Sequence, residues 1–103
     1  MIRHIVLVRF SAETSQTRID EIFASLHALK QVIPGIVSIS VGRNVSPEGL
    51  ARGYTHAFTV DFTDVVARDR YLADPDHGKV GAALVAAASG GIDGLIVLDY
   101  ALA

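Results

Sequence analysis

The chain has 103 residues, 50% of them hydrophobic and 19% charged, which is enough apolar material for one compact core and too little for two. A net charge of −2 with an isoelectric point near 6.0 excludes the basic field that a phosphate backbone demands, so nucleic acid is not an expected partner. Cysteine is absent, which removes disulfide frameworks, thiolate metal sites and cysteine nucleophiles together.

Residues 2 to 10 alternate with a period of two. They set His4, Val6, Val8 and Phe10 on one face and Arg3, Ile5, Leu7 and Arg9 on the other, which predicts a first strand. From about Thr14 to Ile33, the residues Ile19, Ile22, Phe23, Leu26, Leu29 and Val32 recur at steps of three and four, the stripe of an amphipathic helix. Thr14 or Ser15 can cap it, and Pro34 with Gly35 ends it. A second strand over residues 36 to 45 places Val37, Ile39 and Val41 opposite Ser38, Ser40 and Gly42. Residues 44 to 53 have loop composition, with Pro47 and two glycines. A third strand, Tyr54 to about Phe62, carries Tyr54, His56, Phe58, Val60 and Phe62 on its bulky face.

Asp64 can cap a short helix carrying Val65, Ala67, Arg68, Tyr71 and Leu72. Asp74 and Pro75 interrupt it and suit an immediate restart, with Asp as cap and Pro in the first turn. The second helical piece runs through Val80, Leu84 and Ala87 to Ser89, where Gly90 and Gly91 stop it. A fourth strand over about 94 to 101 sets Leu95, Val97 and Asp99 opposite Ile96, Leu98 and Tyr100. The run Ile5 to Val8 is too brief for the apolar region of a signal peptide. The longest apolar stretch, Val80 to Ala88, falls short of the ~18 residues of a membrane span. The reading is one cytoplasmic domain, residues 1–103, with no membrane partner.

The order βαββαβ is the ferredoxin-like α+β plan: a four-stranded antiparallel sheet with strand order 4-1-3-2 and both helical connections on one face. That arrangement leaves Ile5, Leu7, Ile96 and Leu98 on the bare face. The charged fraction is below the roughly 25% usual for soluble domains, and mean hydropathy is +0.40. Together these predict a homodimer packed sheet against sheet, a dimeric α/β barrel.

The same register brings His4 toward Asp99 on the helix-facing side, and the segment carrying Tyr71 and His77 passes over that end of the sheet. A neutral His77 in a first helical turn can act as a general base, with Tyr71 donating to a carbonyl oxygen. Equally, His77 can simply cap the restart, with Tyr71 a core aromatic. His4 with Asp99 reads as an oriented imidazole or as a structural pair. His56 is a second ligand-contact candidate, and Val6, Val8, Phe23 and Leu26 would wall a helix-facing pocket for an apolar small molecule. His27 lies on the polar side of the first helix. None of the four histidines has metal-motif spacing, so no metal or cofactor is expected.

The segments His4–Phe10, Ile33-Pro34-Gly35-Ile36, Gly53-Tyr54-Thr55-His56, Tyr71–His77 and Asp99-Tyr100 together resemble the Dabb family, the stress-responsive dimeric α/β-barrel domain, over nearly the whole chain. The resemblance implies a ferredoxin-like protomer in a barrel homodimer. It extends more distantly to a plant polyketide cyclase of that family, olivetolic acid cyclase, in which the histidine and tyrosine matching His77 and Tyr71 serve an intramolecular aldol closure. His4, His56 and Asp99 match as well. Leu26 departs from an aromatic, and the Ala-rich stretch Ala82 to Ala88 departs from a bulkier segment, which puts the shape of the pocket in doubt. Two other readings stay open: a non-catalytic stress or assembly module, and a cofactor-free monooxygenase of the kind that shares this barrel. A cavity of at least ~300 Å³ lined by Tyr71 and His77 favours chemistry over the assembly reading.

Overall fold

The computed structural model describes residues 1–103. Its elements in chain order are β1 (Ile2–Val8), α1 (Gln16–Ala28), β2 (Ile36–Arg43), β3 (His56–Phe62), α2 (Val65–Ala73), α3 (Pro75–Ala87) and β4 (Leu95–Ala101). Single 3-10 turns at Leu29–Gln31 and Gly91–Gly94 follow α1 and precede β4. The sheet has the order β2-β3-β1-β4 with every neighbour antiparallel. This is the ferredoxin-like α+β fold that the sequence predicts.

One face of the sheet forms the core. Val6, Val8, Phe58, Val60 and Phe62 meet Ile19, Ile22, Phe23 and Leu26 of α1, Tyr71 of α2, and Val80 and Leu84 of α3. Each such side chain stabilises the fold by roughly 1.5–3 kcal/mol relative to exposure. The predicted helical stripe is therefore the packed one, as far as Leu29. There α1 tightens into the 3-10 turn, and Val32 is exposed.

Caps decide the helix starts. Ser15 accepts the Arg18 N–H at 3.1 Å. Thr14 instead donates its hydroxyl to the Ala87 carbonyl at 2.9 Å, which ties the start of α1 to the end of α3. Asp64 accepts from the Ala67 N–H and Asp74 from the Asp76 N–H, each at 2.8 Å. Asp74 is thus the last residue before α3 and the first after α2, with no spacer between the helices.

Element ends depart from the sequence reading in ways that have local causes. β1 stops at Val8, and Phe10 makes an isolated bridge to Ala88. α3 ends at Ala87 because the Ser89 N–H donates to the Arg9 carbonyl at 2.7 Å, and Gly90 and Gly91 turn the chain at φ of 77° and 65°. β3 begins at His56, since Tyr54 turns aside beneath the Arg9 guanidinium, 5.2 Å from its ring centre. In β2, Ile36 pairs with Phe62 and Ser38 with Asp61, so Val37 is a bulge. The core-side set is Ile36, Ile39 and Val41, and Val37 is exposed.

The other face carries Arg3, Ile5 and Leu7 of β1 and Ile96, Leu98 and Tyr100 of β4, beside the small residues Ser38, Ser40, Gly42, Ala57 and Thr59 of β2 and β3. Leu98 is 61% exposed and Ile96 44%. Arg3 and Asp61 neutralise each other on this face: Arg3 donates twice to Asp61 at 2.9 Å, and Ser38 adds a hydroxyl at 3.3 Å. No helix is long and apolar enough to cross a membrane.

Candidate active site

Strand register places His4 opposite Asp99. His4 is buried, and its Nδ1 lies 2.7 Å from Asp99 Oδ1. The other carboxylate oxygen accepts from Arg68 Nη1 at 2.9 Å. Burial opposes the Asp99 charge, but Arg68 and His4 outweigh it and hold the carboxyl below its usual range. An ionised carboxylate has no proton to offer, so the hydrogen in the His4 contact belongs to the imidazole.

Over this pair sits the α2–α3 junction. Tyr71 is fully buried in the last turn of α2, and His77 is in the first turn of α3; their ring centres are 4.2 Å apart. Tyr71 also packs edge-on against His4 at 5.9 Å and, with tilted planes, against Phe62 at 4.9 Å. Because Asp74 ends one helix and starts the next, the six-residue step from Tyr71 to His77 folds back on itself and brings the two rings into contact, their planes tilted by 46°. Half-buried His77 keeps its Nδ1 out of solvent with no hydrogen-bond partner.

The electrostatics sort these groups. Burial first, then the His4 charge, lowers the affinity of His77 for a proton; the Leu72 carbonyl and Asp74 pull less strongly the other way. Burial alone raises the Tyr71 phenol well above its ordinary range. At neutral pH the pair is an uncharged imidazole against a firmly protonated phenol, an acceptor and a donor side by side.

His4, Asp99, Tyr71 and His77 therefore form one cluster. His56 lies elsewhere: it faces Val8 in the register and packs between Phe10 and Phe23, 5.1 and 5.9 Å away, with its Nδ1 2.7 Å from the Thr55 hydroxyl. Burial and the Arg43 charge lower its proton affinity. Val6, Val8, Phe23 and Leu26 are core side chains beneath the helices, and His27 is exposed. Arg68 is the member that site reasoning from sequence leaves out. The available signal is its spacing, three residues before Tyr71 on the same helical face.

None of the three principal cavities is lined by Tyr71 or His77. The largest, about 640 Å³, opens on the opposite face beneath the 44–55 loop and is lined by Leu7, Arg43, Leu50, Tyr54, Ala57 and Ile96 among others.

The sequence profile of the Dabb family, the Stress responsive A/B Barrel Domain, matches residues 2–102. Olivetolic acid cyclase from Cannabis sativa is 26% identical over 78% of this chain and 79% of its own length. A crystal structure of a dimeric ferredoxin-like protein of unknown function from Jannaschia sp. CCS1 superposes with a TM-score of 0.90, at 33% identity over 98% of both chains. The hydroxynitrile lyase from Passiflora edulis superposes with a TM-score of 0.85, at 28% identity over 96% of this chain and 90% of its own.

Proposed function

The chain belongs to the Dabb family of stress responsive A/B barrel domains, and from that premise we propose that it is a small-molecule-binding homodimer that moves a proton next to a carbonyl group without a cofactor. His77 is the base and Tyr71 the hydrogen-bond donor. The observation that carries this reading is the close contact of the Tyr71 and His77 rings, 4.2 Å between centres, with the buried, unpartnered Nδ1 of His77.

In this scheme neutral His77 takes a proton from the carbon beside a carbonyl. The Tyr71 phenol donates to the carbonyl oxygen as negative charge gathers there. The resulting carbon nucleophile adds to a second carbonyl of the same molecule, and the His77 proton passes to the new alkoxide. Two relatives support this class of chemistry, one named a cyclase and one a hydroxynitrile lyase. His4 and Asp99 border the reacting atoms, the apolar neighbours Val6, Val8, Phe23 and Leu26 favour an apolar substrate body, and His56, which lines the largest cavity, is a separate ligand contact. The two copies pack through Ile5, Leu7, Ile96 and Leu98, a reading supported by the dimeric description of the Jannaschia protein.

The test is deuterium incorporation beside the carbonyl of an apolar β-diketone, followed by NMR. The native protein accelerates exchange, His77→Ala loses about 100-fold of that rate, and Tyr71→Phe also lowers it. Exchange equal in the native protein and His77→Ala overturns the assignment. A second reading, a non-catalytic stress or assembly module, is favoured by the absence of Tyr71 and His77 from the three principal cavities. It predicts no exchange with any carbonyl probe.

A further inference from the structure

We propose that Arg68 is a positioning residue of this site: it holds Asp99 so that the His4 ring keeps its Nδ1 proton on that carboxylate and stays fixed edge-on beside Tyr71. The inference rests on the reading of His77 and Tyr71 as the proton-handling pair and adds to it a second imidazole, that of His4, with a defined tautomer.

The geometry is that of a relay with both ends fastened. Asp99 stands on the edge strand β4, where the helices give little cover: Val97, two residues earlier on the same face, is 57% exposed. A carboxylate at such an edge has water on one side and nothing in its own strand to fix its rotamer. Arg68 supplies that fixing from α2, with Nη1 2.9 Å from Asp99 Oδ2, and its own Nε is held by Asp69 at 2.8 Å. With Oδ2 taken, Oδ1 is the oxygen left to face His4, at 2.7 Å. A guanidinium is always charged and donates in fixed directions, so it sets the carboxylate plane as well as its ionisation.

The groups facing His4 are Asp99 from β4, Arg68 and Tyr71 from α2, and His77 from α3; β3 contributes the apolar Phe62. A lone carboxylate touching an imidazole favours the cationic ring. Arg68 occupies the other oxygen of that carboxylate, so Asp99 presents one fixed acceptor to the His4 Nδ1–H. Positive charge on His4 is the second-largest influence against a proton on the His77 ring. Tyr71 touches both the His4 and the His77 ring, so Arg68 acts on the site through Asp99 and His4 while touching no substrate.

The experiment is long-range ¹H–¹⁵N correlation of the histidine rings in the full ligand-free chain at neutral pH, with histidines assigned by single His→Gln variants. In the native protein His4 gives a single Nδ1–H tautomer, with that proton far downfield and slow to exchange. Asp99→Asn abolishes the downfield signal, which identifies the contact. Arg68→Gln loses it too: the His4 ring becomes a mixture of tautomers or doubly protonated. Arg68→Lys, which keeps the charge but not the fork, retains a weakened signal and serves as the reporting variant if Arg68→Gln does not fold, as judged from the amide spectrum. A His4 ring unchanged in a folded Arg68→Gln, or strengthened in Arg68→Lys, overturns the proposal. No substrate is needed, so a protein that exchanges no carbonyl probe still yields this result. Conversely, an unchanged His4 ring refutes the role of Arg68 even where His77→Ala abolishes exchange.

Discussion

His77 and His56 owe their lowered proton affinity mainly to burial, and that has a measurable sign. In the folded chain both rings take up a proton less readily than in the unfolded chain, whose ordinary value is 6.5. Above that value neither state is protonated and the fold keeps its full stability. As pH falls through 6.5 toward the lowered folded values, the unfolded chain binds more protons and stability drains away. Asp61 and Asp99 are shifted below the usual 3.8 by their arginine partners, so their contributions survive this first step and are lost only at more acidic pH. The expected melting curve is flat from about pH 8 to 7, falls between about 6.5 and 5, and falls again below about 4. A melting temperature that rises on acidification from 7 to 5 contradicts this account. At this scale the sequence is informative where residues share a strand register: the parity of His4 and Asp99 is enough to pair them. It is silent on Arg68, because a helical arginine is ordinarily a solvated face, and only the approach of α2 to the edge strand gives it a carboxylate to hold.

Among the elements, the α2–α3 junction does most to build the site. Asp74 terminates α2 and caps α3 through the Asp76 N–H, so one side chain secures the turn that sets Tyr71 against His77. Asp74→Ala is expected to cost about 1 kcal/mol in chemical denaturation and to mobilise His77 more than His27, which ring ¹H line widths report. Equal broadening of both rings removes the link between cap and ring contact. The Asp-Pro signature made this junction legible in advance, as did the glycine pair after α3. The bulge at Val37 was not legible, since Val37, Ile39 and Val41 alternate in ideal fashion. Only the pairing of Ile36 with Phe62, which seats Ile36 in the core, shows which residue gives way. The late start of β3 has a similar cause: Tyr54 fits the strand period but is claimed by Arg9 and by the Asp93 carbonyl, to which its hydroxyl donates at 3.4 Å.

For the whole molecule, element order and crossover rules were sufficient to give the fold, and the parity of β1 and β4 identified an apolar face that the helices leave bare. The position of the largest cavity was beyond such rules, because it depends on how the 44–55 loop hangs over β2 and β3. Leu98, at 61% exposure, provides the test of the proposed dimer. Light scattering should return twice 10.9 kDa for the native chain and the single-chain mass for Leu98→Asp, with an unchanged far-ultraviolet spectrum. A native chain that scatters as 10.9 kDa ends the dimer reading. The closed Arg3–Asp61 pair bears on this assembly in another way. Guanidinium and carboxylate are spent on one another within a single copy, so at the β1–β3 centre of that sheet face a visiting surface meets an already neutralised couple rather than a loose charge.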